Sequence, residues 1–488
     1  MRHSRTVLGL VCLALASSFA AGPGPVQGFR LNAPLAQTWA GRVRAFEIPA
    51  GGRVVFELSP SLTAPFELCS APLDGSQAPV LLSSPGESLD GLRLSPSGTH
   101  AVYRDAEEVE LFSVPVDGSQ APVRVSHSSP LGLAVLSWLV TPDSSRVVYV
   151  AFEGFFQEPK IYSVPLGGGS AIQLSATLPL EDIVLQTFAI GASGNRVVFP
   201  VLSTLDAVEL FSRPADGSGA LVRLCPPLAA GRRVKENFQL APDGSLAFYV
   251  ADQDAANVFE LYRVPTDGSA AAVKLSGTLV AGGDLALAGG LAISSDGLRA
   301  VFVADGNVDG RVEIFSVLTD GSAAPQRLNG PLVAGGNVSS DFRISPDGER
   351  VIYLADQDVD GVQELFSAPI DGSAVPVQLN GPLVPGGGVS SFAGAFAVSP
   401  DSTRVVYLAD QLTDEVVELF SVPIDGSQPA ARLNPQMVPA GDVRLAQISA
   451  DSARVAFLAD AAVNEETRLH VVPLVGGAPS VELEVQAC

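Results

Sequence analysis

The sequence predicts an all-β fold, a single β-propeller of nine four-stranded blades, and three observations predict it. One unit of about 50 residues recurs along the chain, each copy reads as four short strands separated by turn chemistry, and the central strands are apolar on both faces. The repeat is plainest from Phe342 to Asn380, which recurs nearly verbatim as Phe396 to Asn434. Its first turn falls at Ala50, Ser97, Asp143, Ser193, Asp243, Asp296, Asp347, Asp401 and Asp451, at intervals of 46 to 54 residues. Nine units fill the chain beyond its leader; eight is the alternative if the divergent first unit is not a blade.

Within a unit the first strand ends in a Ser-Pro-Asp-Gly turn, as at Ser345 to Gly348. The second strand, Val351 to Ala355, runs into an Asp-rich loop. The third, Leu365 to Ala368, ends in Asp371-Gly-Ser373, and a short fourth strand lies around Val377 to Asn380. Aspartate and glycine tolerate the backbone angles that tight hairpins need. The second and third strands lack the apolar and polar alternation of a sheet with one wet face, so both faces of each sheet must be covered. Antiparallel sheets repeated many times achieve this by stacking radially. An open β-solenoid is the alternative architecture, but its rungs are usually shorter.

Residues 1–20 read as a signal peptide: Arg2 and Arg5 precede an apolar run from Val7 to Ala16, and small residues stand at Ser18 and Ala20. Residues 21–42 form an N-terminal segment in which Phe29 to Leu35 copies the end of a repeat, as in Gln326 to Leu332, and is a candidate ring-closing strand. Residues 43–488 hold the nine repeats. The expectation is an exported monomer, periplasmic or extracellular, with no segment apolar for long enough to span a membrane. Lys and Arg number 29 against 52 Asp and Glu, a formal charge of −23 that becomes more negative once Arg2 and Arg5 are removed. Such a surface repels phosphate backbones, which argues against nucleic acid and anionic lipid as partners, and it also serves solubility.

The cysteines do not form a disulfide framework. Cys69 stands where sister repeats have Phe112, Phe211 or Phe315 and reads as a buried apolar thiol. Cys225 ends a repeat where its counterparts are Asn or Ser, and Cys488 is the last residue.

The Ser-Pro-Asp-Gly turn, the Asp-rich loop, the Glu-Leu-Phe strand and the Asp-Gly-Ser turn together resemble the TolB-type, WD40-like propeller repeat over nearly the whole chain. The resemblance implies the fold and leaves function open, because such propellers serve as periplasmic scaffolds, surface proteins and lids of serine peptidases. TolB has an N-terminal α/β domain and six blades. This sequence departs from both, so a role in envelope assembly does not carry over.

No catalytic centre is legible. His100, His127 and His470 fall in separate parts of blades two and nine, without metal-binding spacing. No Gly-x-Ser-x-Gly pentapeptide occurs, and the Gly-rich stretches Val280 to Gly283 and Val384 to Gly388 lack a nucleotide-binding context. The reading is therefore not an enzyme but a binding or scaffold protein. The alternative is a carbohydrate-active enzyme, a lyase or glycosidase, with carboxylates around the funnel; Asp341 is the acidic residue beside a well-matched inner strand.

The loop after the second strand and the connection after the fourth emerge on one face of the disc, which carries the long, variable segments, and function is expected there. Two features of that face stand out. Unit three replaces the Asp-rich loop with an aromatic run in which Phe152, Phe155 and Phe156 are candidate anchors for a protein or glycan partner. Units six and seven carry Asp305, Asn307, Asp309 and Glu313, and Asp356, Asp358, Asp360 and Glu364. Oxygen ligands at alternate positions, a glycine bend and a later carboxylate suit a hard cation, Ca2+. The spacing resembles the calcium loops of integrin-type propellers, with Glu in place of the closing Asp. Unit five has Ala256 at the third ligand position and unit eight has Leu412 at the second, so ordinary turn residues are the competing reading.

Overall fold

The computed structural model describes residues 42–483 except 49–51, 60–63, 75, 85–88, 107–108, 130–131, 155–157, 193, 195, 286–289, 393, 439 and 464–466. The signal peptide and the proposed ring-closing strand, Phe29 to Leu35, lie outside the described residues. Nine antiparallel sheets follow one another along the chain, each ordered as a simple meander. Blade seven is representative: Val338–Ile344, Arg350–Ala355, Glu364–Pro369 and Val377–Gln378. Blade four differs in that two short segments, Ile183–Val184 and Ala189–Ile190, share the place of its first strand.

The divergent first unit is a true blade, Arg42–Glu47, Arg53–Ser59, Glu67–Pro72 and Val80–Leu81, so nine replaces the alternative of eight. The ninth blade has a fourth strand of its own, Val481–Leu483, paired with the third. Among the described residues no helix is long and apolar enough to cross a membrane.

The missing alternation in the second strand has a direct structural meaning. Val351, Ile352, Tyr353, Leu354 and Ala355 are all fully buried. Val351, Tyr353 and Ala355 pack with Val301, Val303 and Ile314 of blade six, while Ile352 and Leu354 pack with Val405, Tyr407 and Phe420 of blade eight. The same division of odd and even positions recurs at each successive pair of blades from the first to the ninth. An aromatic pair centres most blades, as in Tyr353 on Phe366 and Tyr407 on Phe420, with centroids 5.5 and 5.3 Å apart. First strands of neighbouring blades also touch, which places them where the blades converge.

Polar groups fasten blade to blade at the short-turn end. Arg350 donates from Nε to the buried Ser367 Oγ at 2.7 Å, and the Asp425 carboxylate of the next blade helps to hold its charge. Arg53 reaches further, to the carbonyl of Val116 in blade two at 3.1 Å. Where the left-handed turn position is serine instead of glycine, its hydroxyl accepts a bond from the preceding blade, as Ser402 Oγ does from Asp347 N at 3.0 Å. In the Asp-Gly-Ser turns, the serine hydroxyl and N–H hold Asp371 and Asp425 below the usual carboxylate range.

Two predictions follow from these contacts. A Cβ on Gly244, at φ +75°, would lie 2.7 Å from the backbone Cα of Gly191 in blade four, whereas one on Gly361, at φ +79°, would meet nothing. Gly361→Ala should therefore cost about 1 kcal/mol, the penalty of a left-handed alanine, and Gly244→Ala about 3 kcal/mol once the clash is added; denaturant unfolding of the two variants compares them. The turn aspartates stabilise the fold above their unfolded pKa of about 3.9, and this contribution is lost as pH falls through their lower folded values. Unfolding midpoints measured from pH 6 downward should decline most steeply below about pH 4, and less steeply in Asp371→Asn.

Candidate functional site on the long-loop face

The first aspartate of each Asp-rich loop is a staple between two backbone segments. Asp356, buried at the end of the second strand, accepts from Asn337 N of the incoming connection with one oxygen and from Gly361 N of its own loop with the other, the latter at 3.0 Å. Asp305 does the same with Asp284 N and Gly310 N, and Asp410 with Gly388 N at 2.6 Å and Glu415 N at 3.3 Å. A buried carboxylate needs several donors to hold its charge, and here the backbone supplies them. A further link ties each connection to the preceding blade: Asn337 Oδ1 accepts from Val312 N at 2.9 Å, and Asp442 Oδ1 from Val417 N at 2.9 Å.

The third aspartates point elsewhere. Asp309 and Asp360 lie across Gly282 and Gly335, so close that a Cβ on either glycine would sit 2.7 Å from the carboxylate. In blade six, Asn307 donates from Nδ2 to Glu313 Oε2 at 2.6 Å, and Arg327 pairs with Glu313 Oε1 at 2.9 Å. In blade seven, Asp358 lies near Glu364, whose pKa is raised first by burial and then by that neighbour. The two sets of sequence-predicted calcium ligands are thus each divided among a staple, a glycine contact and a second-to-fourth pairing. Among the described residues no three His, Cys, Asp or Glu side chains converge to hold a metal.

Phe152 is half-buried at the end of its strand, opposite Ala134; Phe155 and Phe156 lie outside the described residues. Next to Phe152 is a polar network that the sequence reading did not assemble. His127 Nδ1 meets Tyr149 Oη at 2.9 Å, His127 Nε2 meets Glu153 Oε1 at 2.9 Å, and Tyr162 Oη donates to the same Glu153 oxygen. The available signal was positional: Glu153 stands where Gln357 stands in blade seven. His470 takes an aromatic slot and stacks on Phe457 at 5.1 Å, and Asp341 pairs with Arg343. Cys69 and Cys225 are free and buried, and burial pushes their thiols up to about 11 and about 12.

The tips of the stapled loops carry exposed aliphatic side chains in four successive blades: Val308 at 46%, Val359 at 55%, Leu412 at 48% and Val463 at 49%. Leu205 is exposed on the corresponding loop of blade four. A shallow cleft of about 530 Å³ lies instead at the short-turn end between blades three and four, lined by Asp143, Arg146, Arg196 and Asp216 among others. Arg146 and Arg196 open the second strands of their blades as Arg350 does in blade seven, and likewise donate to a buried serine, Ser163 Oγ at 2.7 Å and Ser212 Oγ at 3.1 Å.

This architecture defines the chain as a β-propeller protein of nine four-stranded blades. No protein-family model matches the sequence, and no curated protein is similar to it. Solved structures similar to it include a eukaryotic initiation factor, 10% identical over 86% of this chain and 93% of that one, with a TM-score of 0.51. A putative TolB from Agrobacterium tumefaciens is 18% identical over 51% of this chain and 83% of that one, at a TM-score of 0.31. An oligogalacturonate lyase in complex with manganese is 14% identical over 80% of this chain and 98% of that one, at 0.37. At these identities the likeness concerns the fold alone.

The staple has a measurable consequence. Asp356→Ala leaves two backbone N–H groups without their charged acceptor and should lower stability on the order of 3 kcal/mol, whereas Asp360→Ala, at an exposed tip, should change it by about 0.5 kcal/mol or less; denaturant unfolding distinguishes them.

Proposed function

We propose that this chain is a non-catalytic binding propeller, exported to the periplasm or the cell exterior, which engages a macromolecular ligand through its long-loop face. The observation that carries the reading is the arc of Val308, Val359, Leu412 and Val463, exposed on the corresponding loops of four successive blades, the first three of them stapled through their own backbone. A loop that is already ordered loses little entropy on binding, so even modest apolar contacts contribute to affinity. Asp309, Asp360 and Asp414 flank the arc and are exposed, which suits a partner with basic groups around an apolar patch. Between the two ligand classes expected for this face, protein and glycan, the aliphatic tips favour protein. Sugar rings stack best on aromatic faces, and among the described residues Phe392 is the exposed large aromatic.

The test is cross-linking of envelope and secreted fractions, followed by affinity measurement on the recovered partner, with a glycan array in parallel. Val308→Ser, Val359→Ser, Leu412→Ser and Val463→Ser combined should weaken binding at least about tenfold, the scale of a lost apolar hot spot. Leu298→Ser with Val375→Ser, on the short-turn face, should leave it unchanged. Equal loss in both variants, or release of oligosaccharides from a polysaccharide panel by the purified protein, would overturn the reading.

A further inference from the structure

One pair of carboxylates differs from its counterparts in the other blades. The glutamate at the head of the third strand is usually met by a cation fourteen residues later on the fourth strand: Arg223 on Glu209 at 3.3 Å, Arg327 on Glu313 at 2.9 Å and Arg432 on Glu418 at 2.9 Å. Blade seven breaks the pattern. Its residue at that place is Gln378, whose Nε2 gives Glu364 Oε1 one neutral hydrogen bond at 2.9 Å. Glu364 is only 8% exposed, and its Oε2, buried, has no hydrogen-bond partner. Asp358, six residues earlier and exposed, adds a second negative charge beside it.

Blade five shows what such a pair is built to hold. There Asp254 and Glu260 occupy the same two places, and Lys274 Nζ sits between them, 2.7 Å from Asp254 Oδ2 and 2.9 and 2.8 Å from the two oxygens of Glu260. Blade six closes the equivalent space with Asn307 and Arg327, and blade eight has Leu412 where Asp358 stands. Blade seven alone of these keeps both carboxylates while supplying no cationic side chain to them.

We propose that Asp358 and Glu364 bind a hard divalent cation of the calcium class from solution, at the place that Lys274 Nζ takes in blade five. The exposed Asp358 gives the ion a route from solvent, and the buried Oε2 of Glu364, which meets no side-chain donor, gives it an acceptor beside the Asp358 backbone N–H. Water and the Gln378 amide oxygen, once the amide rotates, complete an all-oxygen shell with few protein ligands, which makes the site weak, with a dissociation constant of roughly 10⁻⁴ to 10⁻³ M.

Titration calorimetry of the whole protein with calcium chloride at fixed ionic strength tests it, with thermal unfolding in calcium and in chelator as a second readout. The parent should bind one ion and unfold about 1–2 °C higher in about 10 mM calcium. Gln378→Lys rebuilds the blade-five arrangement, so it should lose the calcium heat and the shift while folding normally. Asp358→Asn, at an exposed position, should lose them too, and Lys274→Gln should add a second ion. Absence of heat in the parent, calcium binding that survives Gln378→Lys, or a response to methylammonium but not to calcium would overturn the assignment.

Discussion

Everything in this molecule depends on the burial of both faces of the central strands of blades two to eight, each against its two neighbouring blades. Each fully buried aliphatic or aromatic side chain contributes about 1.5–3 kcal/mol, and in blade seven the contributions divide between blades six and eight according to whether the position is odd or even. A blade on its own would expose Val351, Tyr353 and Ala355 on one side and Ile352 and Leu354 on the other. The unit of stability is therefore the contact between blades, as in other repeat architectures.

Around that apolar contact the repeat keeps chemical roles more faithfully than residue types. The backbone N–H at the head of the third strand is met by Asn380 Oδ1 in blade seven, by Ser126 Oγ in blade two and by Cys225 Sγ in blade four. The basic residue opening the second strand becomes His100 in blade two, and Ser113 Oγ is then left without the partner that Ser367 has in Arg350. Such slots explain why the divergent units still fold, and why a departure such as Gln378 stands out.

The long-loop face is held by backbone hydrogen bonds where its sequence looks most like a ligand site. Acidic residues in a loop can serve the backbone or a solute, and spacing alone does not separate the two uses. In this chain the first aspartate of each loop serves the backbone, which frees the tips to vary without unravelling the connections beneath them.

Fold class, blade number and the four-strand plan of each unit were determined by the sequence itself, because they rest on local information: turn residues at fixed offsets, strands without alternation, and a period repeated nine times. The apolar role of Cys69 was legible for the same reason, through its alignment with Phe112 and Phe315. The division of Asp356, Asp358, Asp360 and Glu364 among different partners was not. It depends on where the backbone of Asn337 and the side chain of Gln378 arrive, and those come from the incoming connection and the fourth strand, at separations that only the packing of the blade sets. The meeting of His127 with Glu153, from segments 26 residues apart, was decided in the same way. Periodicity specifies which faces must be covered, but the direction in which a charged side chain turns is settled by the donors that the assembled structure brings within reach of it.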